Sequence, residues 1–303
     1  MFVSEIIVIM TFLPFFLFLL GISFGSFLNV LSFRYNPNKS IFSRKILGRS
    51  YCSSCKRHLR FFELVPLLSF IFLRGKCRTC RARLSFQYPI VELSSGLSFI
   101  FLPEAVSRAF ELQFMTGSFQ VFVGGILYVL FGLAILTLIF IAAVDSRIFI
   151  IPDESNALIA IIGVVASVFV YILGSFDVFS GSFVGHYASL FGFHSFIVWN
   201  RLFAVFIAFI SFGFIFFTTR GRGMGFGDVK LSVVLGFLLG WPDLVLALMI
   251  AFITGSLWSI LMMVCRKKKF SSRVPFGPFI VLGALLIMFF GVEIMNGYFA
   301  LFP

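Results

Sequence analysis

Two acidic side chains and four thiols stand out in a chain of 303 residues that is 60% hydrophobic and 12% charged. Asp145 closes the apolar run 135–144, and Asp228 follows Arg222-Gly-Met-Gly-Phe-Gly227 to open the next apolar stretch. Two facing carboxylates within hydrogen-bond reach cannot both ionise cheaply, so one keeps its proton while the other is charged. The charged one can take a proton from water while the neutral one protonates or polarises a peptide carbonyl. That is aspartyl protease chemistry. The plain alternative is helix capping, a favoured role for Asp at an N-terminus. Asp228 suits it; Asp145 does not, because it ends a helix, where the macrodipole disfavours a negative charge.

Around Asp228, glycines at 221, 223, 225 and 227 leave a bare backbone that another chain can approach closely. We expect this backbone, Gly225 and Gly227 included, to pair with an extended peptide by edge-strand hydrogen bonding. The run has neither the phosphate-loop pattern nor the dinucleotide spacing. Lys230 follows it as an auxiliary candidate. Asp153, directly after Pro152, has capping and substrate positioning as its two readings, and Glu154 reads as a solvated charge at a helix start.

The spacing Cys52-x2-Cys55-x21-Cys77-x2-Cys80 suits a tetrahedral zinc site of four thiolates. In a reducing compartment it favours metal over disulfides, with a redox dithiol pair as the alternative. A loop segment of about 50 residues is expected to need such a staple to fold. His58 is expected to be solvated and Cys265 to be a buried packing residue. His186 and His194 are too isolated to argue a second metal site.

These residues must be held by membrane helices. A soluble domain normally carries about 25% charged residues, whereas this chain has 47 Phe and a net charge of +12. Spans of roughly 20 apolar residues are expected near 6–31, 88–103, 119–144, 154–174, 200–217, 229–241, 244–265 and 275–299, about eight in an all-α bundle. The first is too long for a signal-peptide core and is read as a retained span. No internal repeat stands out.

With the N-terminus outside, 22 of the 24 Lys and Arg residues fall on the cytoplasmic side, 13 of them in 34–83. Only Arg108 and Arg201 remain outside. The run 267–269 reads as a cytoplasmic anchor. The basic balance therefore points to membrane lipid rather than nucleic acid. Asp145 and Asp228, 83 positions apart, reach the same membrane face. Expected regions are a first span at 1–33, a four-Cys zinc loop at 34–87 and a second span with its outside loop at 88–118. A membrane core follows at 119–265, then a basic turn with the last span at 266–303.

Taken in order, these motifs resemble the type IV prepilin peptidases of the Gly-x-Gly-Asp aspartic class. Gly21-x3-Gly25-Ser-Phe-Leu-Asn29-Val30 with Arg34 resembles the family's opening helix. The two CxxC pairs, Gly75-Lys-Cys77 and Tyr88-Pro89-x2-Glu92-Leu93 resemble its cytoplasmic loop and re-entry. Asp145 with Ile151-Pro-Asp153, then Gly223-Met-Gly-Phe-Gly-Asp228-Val-Lys-Leu231, resemble its two catalytic motifs, and Pro275-Phe-Gly-Pro278 its final turn. The first Cys pair lacks the Pro that often follows the first cysteine in relatives, and 175–198 looks like an insertion.

The resemblance implies removal of the basic leader of type IV pilin and pseudopilin precursors at the cytoplasmic face of the bacterial inner membrane. It implies Asp145 and Asp228 as the catalytic pair. It also implies methylation of the new N-terminal amine from S-adenosylmethionine, associated with the N-terminal half and the Glu92 region. A peptidase without methyltransferase activity is one alternative. A proton- or cation-coupled transporter using the Asp pair and a zinc-stabilised scaffold are others.

Overall fold

The computed structural model describes residues 2–37, 49–52, 54–110, 118–172, 181–192, 197–265 and 274–301, with side chains described from residue 12 onward except at 119–120. The basic run 267–269 and His194 lie outside the described residues. Nine helices are present among those described: α1 (Phe2–Arg34), α2 (Leu68–Phe72), α3 (Gln87–Ala109), α4 (Ser118–Ile148), α5 (Asp153–Ile172), α6 (Ile197–Thr218), α7 (Phe226–Leu239), α8 (Asp243–Val264) and α9 (Gly277–Ala300). No strand occurs among the described residues; two isolated bridges and short 3₁₀ segments at Phe61–Glu63 and Gly185–Phe191 complete the secondary structure.

Seven of these helices are long and apolar enough to cross a membrane. The chain is thus a multi-pass membrane protein. Each expected hydrophobic stretch forms a helix, but α7 has 14 residues. At 1.5 Å per residue it reaches about 21 Å, short of a hydrocarbon core of about 30 Å. Apolar side chains such as Phe206, Phe214, Ile253 and Leu257 are exposed on the helix surfaces, as expected where lipid takes the place of water.

The chain divides into two compact units, 1–101 and 102–303. In the first, α1 lies against α3 with almost no intervening side chain. A Cβ on Gly25 would stand 2.8 Å from Glu92 Cα, and one on Gly21 2.5 Å from Ser95 O. Close approach through small residues is how helices associate in lipid. The contact is extended by Asn29 Nδ2 donating to Tyr88 O (3.0 Å) and by Phe33 stacked on Tyr88.

In the second unit α4 packs on α5 and α9, α8 on α9, and α7 lies between α5 and α6. Backbone contact fixes α7 there: Gly163 of α5 meets the Phe237–Leu238 peptide, and Gly236 meets Val205 of α6. At the far end of α7, buried Arg201 donates to Leu238 O (2.6 Å) and Gly181 O (3.3 Å). Buried Asp243 acts on it electrostatically and accepts from Ser182 Oγ (2.9 Å) and Phe183 N–H (2.8 Å). Arg108 is likewise engaged, by Glu104 and Glu293. The two basic residues that break the loop-charge count are therefore both matched to acids.

Cys265 corrects an expectation. It is exposed, not buried, because it lies just beyond the end of α8, where Leu261 and Val264 are also exposed.

Candidate active site

Asp145 lies in the last turn of α4, one turn before Phe149 ends the helix in the left-handed region at φ 58°. Although it sits at a helix C-terminus, it faces a helix N-terminus. The Gly277 N–H, first in α9, donates to Asp145 Oδ2 at 3.0 Å, and Asp145 is 5% exposed. Unpaired N–H groups and the positive end of the α9 dipole thus face the carboxylate. This removes the objection raised by its position on α4. A Cβ on Gly277 would stand 2.6 Å from Asp145 Oδ2, so the approach requires glycine.

Asp228 occupies the first turn of α7 and is half-buried. Its Oδ2 accepts from Gly225 N–H at 3.3 Å, the reciprocal half of a capping arrangement. One long bond leaves most of the acceptor capacity of a carboxylate open. The glycine motif is tied to the α4–α5 connection, since a Cβ on Gly227 would stand 3.3 Å from Ile151 Cβ. By this route Asp145 and Asp228 come close enough for the charge of one to act on the other. Both stand at helix ends, not at mid-helix as a transport relay through the bilayer centre would require.

Asp153 and Lys230 flank the pair. Asp153 stands in the first turn of α5, and Lys230 Nζ reaches its Oδ1 at 2.8 Å in an exposed ion pair. Gly225 is exposed and extended, with φ −73° and ψ 147°, as the residue that opens α7. Sequence reasoning did not identify Gly277 as the partner of Asp145 or Ile151 as the neighbour of Gly227. Both stood inside the quoted motifs, but their contacts are tertiary.

Residues 130–260, which contain both aspartates, match the type IV leader peptidase family, and residues 19–105 match the bacterial peptidase A24 N-terminal domain. A prepilin leader peptidase/N-methyltransferase of Bacillus subtilis is 30% identical over 282 residues, covering 93% of this chain and 96% of that protein. The chain belongs to the type IV leader peptidase family. Relatives of the same description in Stutzerimonas stutzeri and Legionella pneumophila are 27% identical over 300 residues and 29% identical over 255. The first alignment covers 92% of this chain and 91% of the relative, the second 83% and 76%. No solved structure matches the chain closely enough to compare.

In this leader peptidase the N-terminal match encloses a second centre. Cys52, Cys55, Cys77 and Cys80 bring their sulfur atoms within 4.8 Å of one another. Sulfurs about 2.3 Å from a common ion at tetrahedral angles lie about 3.8 Å apart. The Cys52 Sγ···Cys80 Sγ separation is 3.8 Å, so the four thiols fit a metal ion. Both pairs sit in turns of one construction. Cys52 N–H donates to Arg57 O (2.9 Å), Lys56 N–H to Cys52 O (3.0 Å) and Leu59 N–H to Ser50 O (2.9 Å). Correspondingly, Cys77 donates to Ala82 O (2.9 Å), Arg81 to Cys77 O (3.0 Å) and Leu84 to Gly75 O (2.8 Å). Lys56 and Arg81 share the left-handed conformation, at φ 57° and 55°. The segment is therefore a tandem of two knuckles, a repeat missed in the sequence although Cys-x2-Cys-Lys/Arg-x2-Leu occurs in both. The Cys55 and Ser54 N–H groups hold the Cys52 thiol down at about 6, and those of Cys80 and Thr79 lower Cys77, whereas Cys80, although the Ala82 N–H lowers it, is pushed up to about 11 by burial and the neighbouring thiols. Thiolate is the form that binds metal. His58 is exposed, as expected of a solvated side chain.

Glu92 is buried in α3, its Oε2 accepting from Leu67 N–H at 2.8 Å and its carboxylate also from the Ser26 hydroxyl. It belongs to the first unit, as do the cysteines.

Proposed function

We propose that this protein is an aspartic endopeptidase that removes the leader of type IV prepilins and pseudopilins, and that it then methylates the new N-terminus. The observation that supports the peptidase half is that Asp145, held at the N-terminus of α9, lies near enough to Asp228, 83 positions along the chain, for their charges to interact. The ionised carboxylate of the pair takes a proton from water as its oxygen attacks the scissile carbonyl carbon. The protonated one stabilises the oxyanion, and the proton then passes to the departing amine nitrogen. Gly225, Gly227, Lys230 and Asp153 line the approach, where exposed backbone at Gly225 suits pairing with an extended substrate. The site faces the cytoplasm, with the N-terminus outside and lipid around the bundle.

The metal at the four cysteines is zinc, held as thiolates in a structural role that joins the two knuckles. The second reaction rests on the relatives' shared description. S-adenosylmethionine supplies the methyl group. When bound, it would deliver that methyl to the new N-terminal amine, and the N-terminal unit with its buried Glu92 would carry this reaction.

The test is cleavage of a purified prepilin by Asp145→Asn and Asp228→Asn. Each is expected to lose at least about 10²-fold in rate, the lower end for removal of a general acid or base. Wild-type rates from either variant would remove the peptidase assignment.

A further inference from the structure

Between the two cysteine pairs, residues 61–73 are apolar except for Glu63, Pro66 and Ser69. The run is too short to cross a membrane, and an apolar stretch of about 10–14 residues either packs inside a protein or lies at a membrane surface. This one does not pack inside. Neither the 3₁₀ segment Phe61–Glu63 nor α2 contains a buried residue, and Phe61 and Phe72 are 80% and 79% exposed. On α2, Leu68, Ile71 and Phe72 are all exposed, at the i, i+3 and i+4 spacing of a single helix face.

Two contacts set the level of that face along α3. Leu67 N–H donates to Glu92 Oε2 at 2.8 Å, and the Phe70 and Phe86 rings lie 5.7 Å apart. The start of α2 is thereby fastened beside the first two turns of a helix long and apolar enough to cross a membrane. Phe86, Ile90, Leu93 and Leu97 follow helical spacing there and are all exposed, an apolar stripe of the kind that lipid covers. Through the Phe70–Phe86 contact, α2 adjoins the end of that stripe.

Charge completes the pattern. Arg60 and Arg74 bracket the run and are exposed, as are Lys76 and Arg81 beyond it. Its one acid, Glu63, is matched to Arg57 at 2.5 Å. Aromatic and aliphatic side chains with Arg and Lys around them mark a segment that lies in the plane of a membrane, rings among the upper acyl chains and cations among anionic headgroups. Long arginine stems let the charge reach the headgroups from a lower backbone. A second copy would bring the same cations face to face, and a precursor with a basic leader would add more. We propose that Phe61–Leu73 is a membrane-docking segment. Its exposed Phe and Ile side chains enter the leaflet at the α3 N-terminus, Arg60 and Arg74 meet anionic lipid, and the two cysteine turns are fastened to the bilayer surface.

The test is photocrosslinking. A p-benzoylphenylalanine is placed at Phe61 or at Phe72 of the full-length chain, in vesicles of equimolar phosphatidylglycerol and phosphatidylcholine with a purified precursor present. Adducts are identified by mass spectrometry after irradiation. Neither ring is buried, so a larger one is accommodated, and the two positions report independently. Both should carry lipid as the main adduct, phosphatidylglycerol exceeding phosphatidylcholine by at least about threefold. In the Arg60→Gln/Arg74→Gln background lipid adducts should persist while that ratio falls toward unity. Adducts mainly to a second copy or to the precursor would overturn lipid as the occupant. No adduct above the unirradiated level at either position would put the face in water and overturn the docking altogether. Equal labelling of the two lipids with both arginines intact would overturn the anionic contact.

Discussion

Gly277 has no side chain, and the Asp145 carboxylate stands where one would begin. Alanine there puts a methyl group 2.6 Å from Oδ2, so the carboxylate must move or α9 must slide. Misplacing a catalytic group by about 1 Å costs on the order of 10²-fold in rate. Gly277→Ala is therefore expected to lower kcat for precursor cleavage by at least tenfold while leaving KM within about threefold. An unchanged kcat with a raised KM would show that the α9 contact does not position the pair. The exposed Lys230–Asp153 bridge belongs to another class, since such pairs contribute about 0–1 kcal/mol. Its loss in Lys230→Ala should barely move the thermal midpoint. The acidic pair itself was legible in the sequence, because an acid at the edge of an apolar run has few other reasons to be there. What made Asp145 tolerable at a helix C-terminus was not legible. Its partner is the backbone of a residue 132 positions away, and an N–H group has no residue-type signature.

Helices in this chain announce themselves by hydropathy, and the expected spans fall on helices α1 and α3–α9. The misfit is α7, whose 14 residues set Asp228 at one end and the Arg201–Asp243 network at the other. Asp243 drew no notice in the sequence, being one acid beside a Pro at a span boundary. The knuckles were legible as a cluster of four thiols but not as a repeat, since the correspondence lies in backbone hydrogen bonds and in a left-handed Lys and Arg that chemistry alone does not flag. The two turns bring thiols from 25 residues apart into one cluster, and on the proposed reading the ion joins them. Purification without chelator should yield about one zinc per chain, and Cys77→Ser should reduce it to background and expose 49–84 to proteolysis. Full metal content in that variant would mean that Cys77 is not a ligand. The α1–α3 contact is a further element-level dependence: Gly25→Leu drives a side chain into the α3 backbone at Glu92 and should lower the thermal midpoint.

At the scale of the molecule, the distribution of charge decides which side of the membrane receives the substrate. Thirteen basic residues between 34 and 83, and those flanking the glycine motif, all fall on one side in an N-terminus-outside arrangement. The two exceptions carry little weight in that count once their settings are known. Arg201 is buried against carbonyls and Asp243, and Arg108 is paired with Glu104 and Glu293, so neither acts as a free loop charge. The 3₁₀ segment Gly185–Phe191 must then lie opposite the glycine motif. Ser189 and Arg222 are both exposed and make convenient reporters. In intact cells a membrane-impermeant maleimide should label Ser189→Cys strongly and Arg222→Cys no more than wild type, and permeabilisation should bring Arg222→Cys up to the Ser189→Cys level. The reverse pattern would place the aspartate pair on the outer face, away from a basic leader retained in the cytoplasm, and leave the proposed cleavage without access to its substrate.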